Sequence, residues 1–268
     1  MDEYFSSKDL LHFYFRFFLN KRRILTDCKE GMLQIFIVEF LWVAGSLAGL
    51  SIYSSFLIYK DFFKTKKGNF LIHKDLQSAI TVSPTFEIDD IHELERLMSQ
   101  HVKRKEKILF IDVGAHVGIY SVSVGLKFKK YKYLDIIGFE PEANNFYKNN
   151  SSILAHNILL NGIKNFKLYK IGLGSRDTKN PNKFGFITKK LDNVLSAKTA
   201  QKYDVVFVKI DIEGYEEDAL RGASVFIKKS KKVYILVEDC VRKDIYKYLK
   251  KNFVFYKKIT PYNSFWTK

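Results

Sequence analysis

Asp112, Gly114 and Gly118 stand in the pattern D-x-G-x-x-x-G, directly after the apolar run Ile108, Leu109, Phe110, Ile111. A run this short and this rich in branched and aromatic side chains suits a strand buried on both faces. Ile119, Tyr120, Val122 and Val124 follow at spacing that suits a helix. Strand, glycine turn and helix begin a nucleotide-binding βα unit. Gly114 permits a sharp turn, and Gly118 lets the start of the helix lie close to a ligand. A dinucleotide site seats a pyrophosphate against this turn, which calls for backbone N–H donors and a third glycine. Here the third glycine is missing and an anion, Asp112, stands at the strand tip. That suits a ligand with a cationic ammonium or sulfonium end, such as S-adenosylmethionine. A plain structural turn is the competing reading.

The elements that must position these residues alternate from residue 107 onward. Strand signals cover 107–112, 134–140, 166–171, 205–211, 233–239 and 253–259, and helical signals cover 117–129, 143–160, 215–228 and 241–251. Such alternation predicts an α/β fold, a doubly wound Rossmann-like parallel sheet with helices on both faces. Residues 172–204 form a loop-rich insert with a short helix at LDNVLS. In a doubly wound sheet, ligands bind outside the carboxyl ends of the strands. The first expected strand ends in Asp112, the second in Glu140 followed by Pro141, the fourth in Lys209-Ile210-Asp211-Ile212-Glu213-Gly214, and the fifth in Glu238-Asp239. Random surface acids would not cluster this way in a chain with 45 basic residues against 29 acidic ones. Glu140 lies about twenty residues past the glycine turn, where a carboxylate accepts hydrogen bonds from ribose hydroxyls. Backbone at Gly172, near the end of the third strand, would line an adenine slot. The expected cofactor residues are therefore Asp112, Gly114, His116, Gly118, Glu140, Pro141 and Gly172.

DVGAHVGIYS, GFEPEANNF, NILLNG with IGLGSRD, and VKIDIEGYEEDALRGA occur here in the order seen in the FkbM family of S-adenosylmethionine-dependent methyltransferases. The chain resembles that family over residues 105–240, with K-x-D-x-E-G-x-E its most specific stretch. The resemblance implies O-methylation of a hydroxyl on a glycan, a glycolipid or a small metabolite. His116 departs from the Asn usual in the family's turn, and LDNVL at 191–195 replaces a more usual TLDDL.

The end of the fourth strand faces the methyl group in this fold. Methyl transfer is an in-line displacement at a sulfonium carbon, so the enzyme chiefly positions the acceptor and removes its proton. Asp211, Glu213 and Lys209 are the expected catalytic residues. In extended backbone Asp211 and Glu213 point the same way, and two close carboxylates raise one another's pKa, as a base requires. The same pair could instead hold a divalent cation that orients the acceptor. Glu213 could also simply cap a helix starting near Tyr215. Glu238 and His116 are next in line as base.

The remaining sequence bounds the problem. The net charge is +16, but the lysines are scattered along the chain, and neither a basic groove motif nor an N-P-P-[YF] tetrad accompanies them, which disfavours nucleic acid. Only Cys28 and Cys240 are present, without C-x-x-C spacing, so no zinc site is expected. The sequence divides into an N-terminal helical and apolar segment (1–68), a hairpin and helix leading into the core (69–104), and the methyltransferase domain (105–268). Asn69–His73 and Ala79–Ser83 read as the hairpin strands, and Ile88–Val102 as an amphipathic helix capped by Asp89 or Asp90. Phe40–Tyr59 is twenty residues without a charge, long enough to cross a bilayer. Residues 32–59 thus offer a membrane contact, or else a core helix. S-adenosylmethionine is cytosolic, so residues 69–268 are expected on the cytoplasmic side. A catalytically silent adapter, a nucleic-acid methyltransferase and an NAD-dependent oxidoreductase are the competing functions; the intact strand-end acids argue against the first and Asp112 against the last.

Overall fold

The computed structural model describes residues 62–65, 67–73, 81–82, 86–142, 149–183, 185–238, 243–260 and 262–268. The aromatic stretch 13–23, the uncharged stretch 40–59, Asp239 and both cysteines lie outside the described residues. The chain divides into two units, Met1–Phe86 and Glu87–Lys268.

In the first unit, β1 (Phe62–Thr65) pairs antiparallel with β2 (Gly68–Leu71). This hairpin sits one strand earlier than expected. In its turn the Thr65 hydroxyl donates to the Gly68 carbonyl and accepts from the Lys67 amide. Thr81 and Val82, within the expected second strand, are not in one.

The second unit opens with α1 (Ile88–Lys103). Its cap is Glu87 in a left-handed conformation rather than Asp89 or Asp90, which occupy the first turn and there favour the positive end of the helix dipole. Then come β3 (Ile108–Val113), α2 (Ile119–Lys127), β4 (Leu134–Phe139), α3 (Asn150–Leu160), β5 (Phe166–Tyr169), β6 (Gly172–Leu173), β7 (Thr188–Lys189), α4 (Leu191–Val194), α5 (Ala197–Lys202) and β8 (Val205–Ile210). The chain ends with α6 (Glu216–Gly222), α7 (Ser224–Lys229), β9 (Val233–Glu238), α8 (Lys243–Asn252), β10 (Val254–Lys258) and β11 (Asn263–Thr267).

Seven strands form the main sheet in the order β10-β11-β9-β8-β3-β4-β5. β9, β8, β3, β4 and β5 run parallel; β11 is antiparallel to both its neighbours. Every residue of β3 and β8 is buried, as expected for central strands covered by helices on both faces. The strand order reverses between β3 and β8, where Asp112 lies opposite Lys209. That reversal opens the crevice in which α/β sheets bind ligands.

Two departures from the sequence reading have simple causes. β11 was not expected, because only a few residues follow β10; a parallel crossover needs a dozen or more, so the chain returns as a hairpin and inserts between β10 and β9. The single helix expected over 215–228 breaks at Ala223 into α6 and α7. At that break Gly222 lies so close to the chain that an added Cβ would stand 2.0 Å from the Gly174 carbonyl oxygen.

Candidate active site

The glycine turn is held in place by buried polar contacts. Asp112 is fully buried, and its Oδ2 accepts from the Ser121 amide at 3.1 Å and the Ser121 hydroxyl at 2.7 Å. Its Oδ1 has no hydrogen-bond partner among the described residues and lies 3.9 Å from Lys209 Nζ. Burial holds the Asp112 carboxyl above its ordinary range, against the pull of Lys209 and Ser121. Gly114 has φ +75, and a Cβ there would stand 2.0 Å from the Asp211 carbonyl oxygen. Only glycine allows the turn to touch the end of β8. Gly118 also has positive φ, but the space left by its missing Cβ is filled by Leu154 of α3, 2.6 Å away from where a Cβ would stand. The close approach there is helix packing rather than contact with a ligand.

His116 adopts φ 50, a left-handed conformation that Asn tolerates well among non-glycine residues, which rationalises the Asn usual at this position. Its amide donates to Glu140 Oε2 at 2.8 Å, while Asn150 Nδ2 donates to Oε1 at 3.3 Å. Glu140 is 6% exposed. Burial pushes its carboxyl up to about 7, opposed by the bonds from His116 and Asn150. Beside it, a small and mostly apolar pocket of about 80 Å³ is lined by Gly114, Pro141 and Gly172 together with Phe139, Ile171 and Phe186. Three expected cofactor residues therefore share one pocket. Phe186 was not singled out from sequence; it comes from the insert, and its ring lies where a Cβ on Gly172 would approach to 2.8 Å. The insert carries several apolar and aromatic residues, and nothing in its local sequence distinguished Phe186 from them.

Across the turn stands Lys209. Its Nζ donates to the Gly114 carbonyl at 3.0 Å, lies 3.3 Å from Asp211 Oδ2, and sits 5.1 Å from the centre of the Tyr120 ring. Burial works against its charge, but Asp211, Asp112 and Glu87 outweigh that and hold the ammonium above its ordinary pKa. The Asp211 side chain is 34% exposed, against 7% for Lys209 and 0% for Asp112. Of this ion-paired group only Asp211 opens outward.

The extended backbone that the pairing of Asp211 with Glu213 assumed is not what the chain builds. β8 ends at Ile210, and Glu213 has φ 52. The backbone has left the extended form, so the two-residue spacing no longer puts both side chains on one side. Nor does Glu213 cap the following helix. That helix is capped at Tyr215 without a side-chain hydrogen bond, and Glu216 Oε1 instead accepts from the Ile212 amide at 3.1 Å and the Gly214 amide at 2.9 Å in the loop before it. Among the described residues no group of three or more His, Cys, Asp or Glu is arranged to hold a metal ion. A carboxylate from another strand also acts on Asp211's neighbourhood. Glu238, at the end of β9, is pushed up to about 8 by burial and by the charges of Asp211, Glu216 and Glu87, against Lys209. Glu87, at the start of α1, was missed because nothing in the local sequence marks it.

Among the described residues no helix is long and apolar enough to cross a membrane. No curated protein matches the chain significantly. Among solved structures, an rRNA methylase from Streptococcus thermophilus is 10% identical with a TM-score of 0.42, covering 66% of this chain and 93% of its own. A putative RNA methyltransferase from Pyrococcus horikoshii is 14% identical with a TM-score of 0.40, covering 70% and 87%. A SAM dependent methyltransferase from Aquifex aeolicus is 11% identical with a TM-score of 0.38, covering 66% and 96%. The family model for the methyltransferase FkbM domain matches residues 112–252. That span begins at the carboxylate of the glycine turn, takes in Glu140 and the Lys209–Glu216 motif, and exceeds half of the chain, which therefore belongs to the FkbM family of S-adenosylmethionine-dependent methyltransferases.

Proposed function

We propose that this methyltransferase methylates a hydroxyl oxygen on a glycan, a glycolipid or a small metabolite, with Asp211 taking the hydroxyl proton. The observation that carries this reading is the link between the two halves of the site: one buried ammonium, Lys209, contacts both the Gly114 carbonyl and the outward-facing Asp211.

The residues present fit S-adenosylmethionine. Gly114 lines an apolar pocket beside the turn, and Asp112 keeps one buried oxygen without a hydrogen bond among the described residues. Asp112, Gly114 and His116 at the turn, Glu140 and Pro141 after β4, and Gly172 in β6 would hold it. When bound it supplies a methyl group on a sulfonium that is already activated for displacement. The protein's share of the work is orientation and proton removal. A hydroxyl donating to Asp211 is oriented by a carboxylate that Lys209 fixes in place. The Asp211 carboxylate then receives the proton as the oxygen becomes a nucleophile. Glu213, turned away from the extended backbone, is given no part in this proton transfer.

The test uses calorimetry with S-adenosylmethionine and transfer of a labelled methyl group to hydroxyl-bearing extracts. Asp211→Asn is expected to bind the cofactor and to transfer nothing. Wild-type transfer should persist in excess EDTA. Full transfer by the variant would move the base elsewhere, and loss of transfer in EDTA would restore the divalent cation.

A further inference from the structure

We propose that the end of the main sheet where the parallel strands begin is a basic face that docks this domain on an anionic phospholipid surface, with the crevice at the opposite end turned away from it.

Lysines that are scattered along the sequence are gathered by the fold. KRKEK (103–107) leads into β3, KFKKYKY (127–133) into β4 and KKSKK (228–232) into β9. Each holds four basic residues, and Glu106 is the one acid in the three segments. Lys250 and Lys251, in the last turn of α8, precede β10. Strand register puts all of these segments at one end. Ile108 lies opposite Leu134 and Val205, Val206 lies opposite Val233, and Val254 pairs with Thr267, which pairs with Tyr234. The loops are tied side by side: the Ile108 amide donates to the Tyr133 carbonyl at 2.8 Å, the Asp204 amide to the Lys107 carbonyl at 2.8 Å, and the Val206 amide to the Lys232 carbonyl at 2.9 Å.

The acids at this end are already engaged. Asp204 holds Lys231 at 2.7 Å, Glu95 holds Lys127 at 3.4 Å, Asp135 accepts from the Tyr203 hydroxyl at 2.7 Å, and Glu106 bonds to His101. Lys103, Lys105, Lys130, Lys229 and Lys251 are exposed and form no ion pair among the described residues. Apolar groups stand among these charges, with Tyr133 39% exposed, Val254 66% and Phe255 48%. Ammonium groups on long stems reach lipid phosphates, while aromatic rings settle at the level of the headgroups. Nucleic acid would be drawn by the same charge, but the chemistry lies elsewhere. β8 runs six residues from this end to the crevice, about 20 Å of extended chain, too far for a bound nucleotide to reach the methyl group. The face therefore serves attachment, and a bilayer is the anionic partner that a broad face with exposed apolar side chains fits.

The test reads the face itself, in the full chain, because the uncharged stretch at residues 40–59 would bind vesicles on its own if it enters a bilayer. Tyr133→Trp places a fluorophore among the lysines, and the wild-type signal of Trp42 and Trp266 is subtracted. Vesicles containing phosphatidylglycerol should shift the emission to the blue, and vesicles of phosphatidylcholine alone should not. Salt at about 0.5 M should reverse the shift, since it cuts the reach of surface charge to a few ångströms. Adding Lys130→Glu, Lys229→Glu and Lys251→Glu together should raise the lipid concentration at half-shift by at least about tenfold. Reversing Arg176, Lys179 and Lys190 to Glu instead, in the insert beside the pocket, should raise it by less than about threefold. Equal losses in the two triple variants would overturn the proposal, because net charge rather than this face would then be responsible. Absence of a blue shift overturns it as well, even in a chain that sediments with vesicles, and so does a shift produced by an RNA oligonucleotide but not by vesicles. Should Tyr133→Trp not fold, Phe255→Trp at the start of β10 reads the same face with the same outcomes.

Discussion

The turn side of the site and the β8 side use the same residue types and satisfy them differently. At the turn, Asp112 and Glu140 are buried at 0% and 6% exposure and accept bonds from Ser121, His116 and Asn150. They are tied to the frame. At the end of β8, Asp211, Glu238 and Glu87 crowd around one ammonium, and the last two are pushed up to about 8 and about 7. Burial and the charges of neighbouring carboxylates raise those two together, whereas at the turn the hydrogen bonds from His116 and Asn150 oppose the burial of Glu140. A frame that must not move and a group that must exchange a proton call for these opposite treatments.

If the division is sound, the largest effect should come from Asp211. Asp211→Asn is expected to lower methyl transfer by about 10²–10⁴-fold, the usual worth of a positioned base, with cofactor affinity within a factor of about two by calorimetry. A variant that lost affinity and activity together would erase the distinction between the two sides. Gly114→Ala attacks the seam between them. The alanine must take a left-handed φ and meet the Asp211 carbonyl, so a loss of about 2–4 kcal/mol is expected in urea unfolding. An unchanged midpoint would mean that the contact between turn and β8 is not maintained in solution.

Glu140→Ala tests the frame. Removing a charge-assisted hydrogen bond costs about 1.5–3 kcal/mol, so S-adenosylmethionine should bind more than about tenfold more weakly. Because the His116 amide and Asn150 lose their acceptor, stability should fall as well, by about 1–3 kcal/mol. Equal affinity in the two proteins would remove Glu140 from the cofactor site.

The smallest effect concerns pH. Glu238 ionises at about 8 in the folded chain against an ordinary 4.5, so between those values the folded state holds more protons than the unfolded one. Stability contributed by the neutral carboxyl is therefore lost as pH rises through that window. Glu238→Gln keeps the shape and omits the charge. Its melting temperature should exceed that of the wild type by roughly 2–4 °C at high pH, which corresponds to about 1 kcal/mol, and the difference should vanish near the lower end of the window. A gain that did not vary with pH would show that Glu238 is not part of the strained cluster.

How much of this was legible beforehand follows the range of the interactions. β3, β4, β8 and β9 were readable to within a residue, because a strand buried on both faces must be apolar throughout and a parallel sheet needs helices between its strands. Asp112 and Glu140 were readable too, since their positions at strand ends fix them near the crevice whatever the side chains do. Glu213 shows where local periodicity misleads. Its pairing with Asp211 assumed extended backbone, but β8 ends at Ile210 and Glu213 itself is left-handed. Gly118 was read as letting the helix start lie close to a ligand; the neighbour at its missing Cβ is Leu154, thirty-odd positions away along the chain and invisible to a local pattern.

What the sequence determined by itself was the alternation of strands and helices, the glycine turn and the acids at the strand ends, all consequences of backbone geometry over a few residues. The tertiary structure alone decided which carboxylates share a neighbourhood. Glu87, Asp211 and Glu238 are far apart in sequence and belong to three different elements. Their protonation depends on burial and on charges brought close by folding, and those are properties of the folded arrangement in space rather than of any stretch of chain.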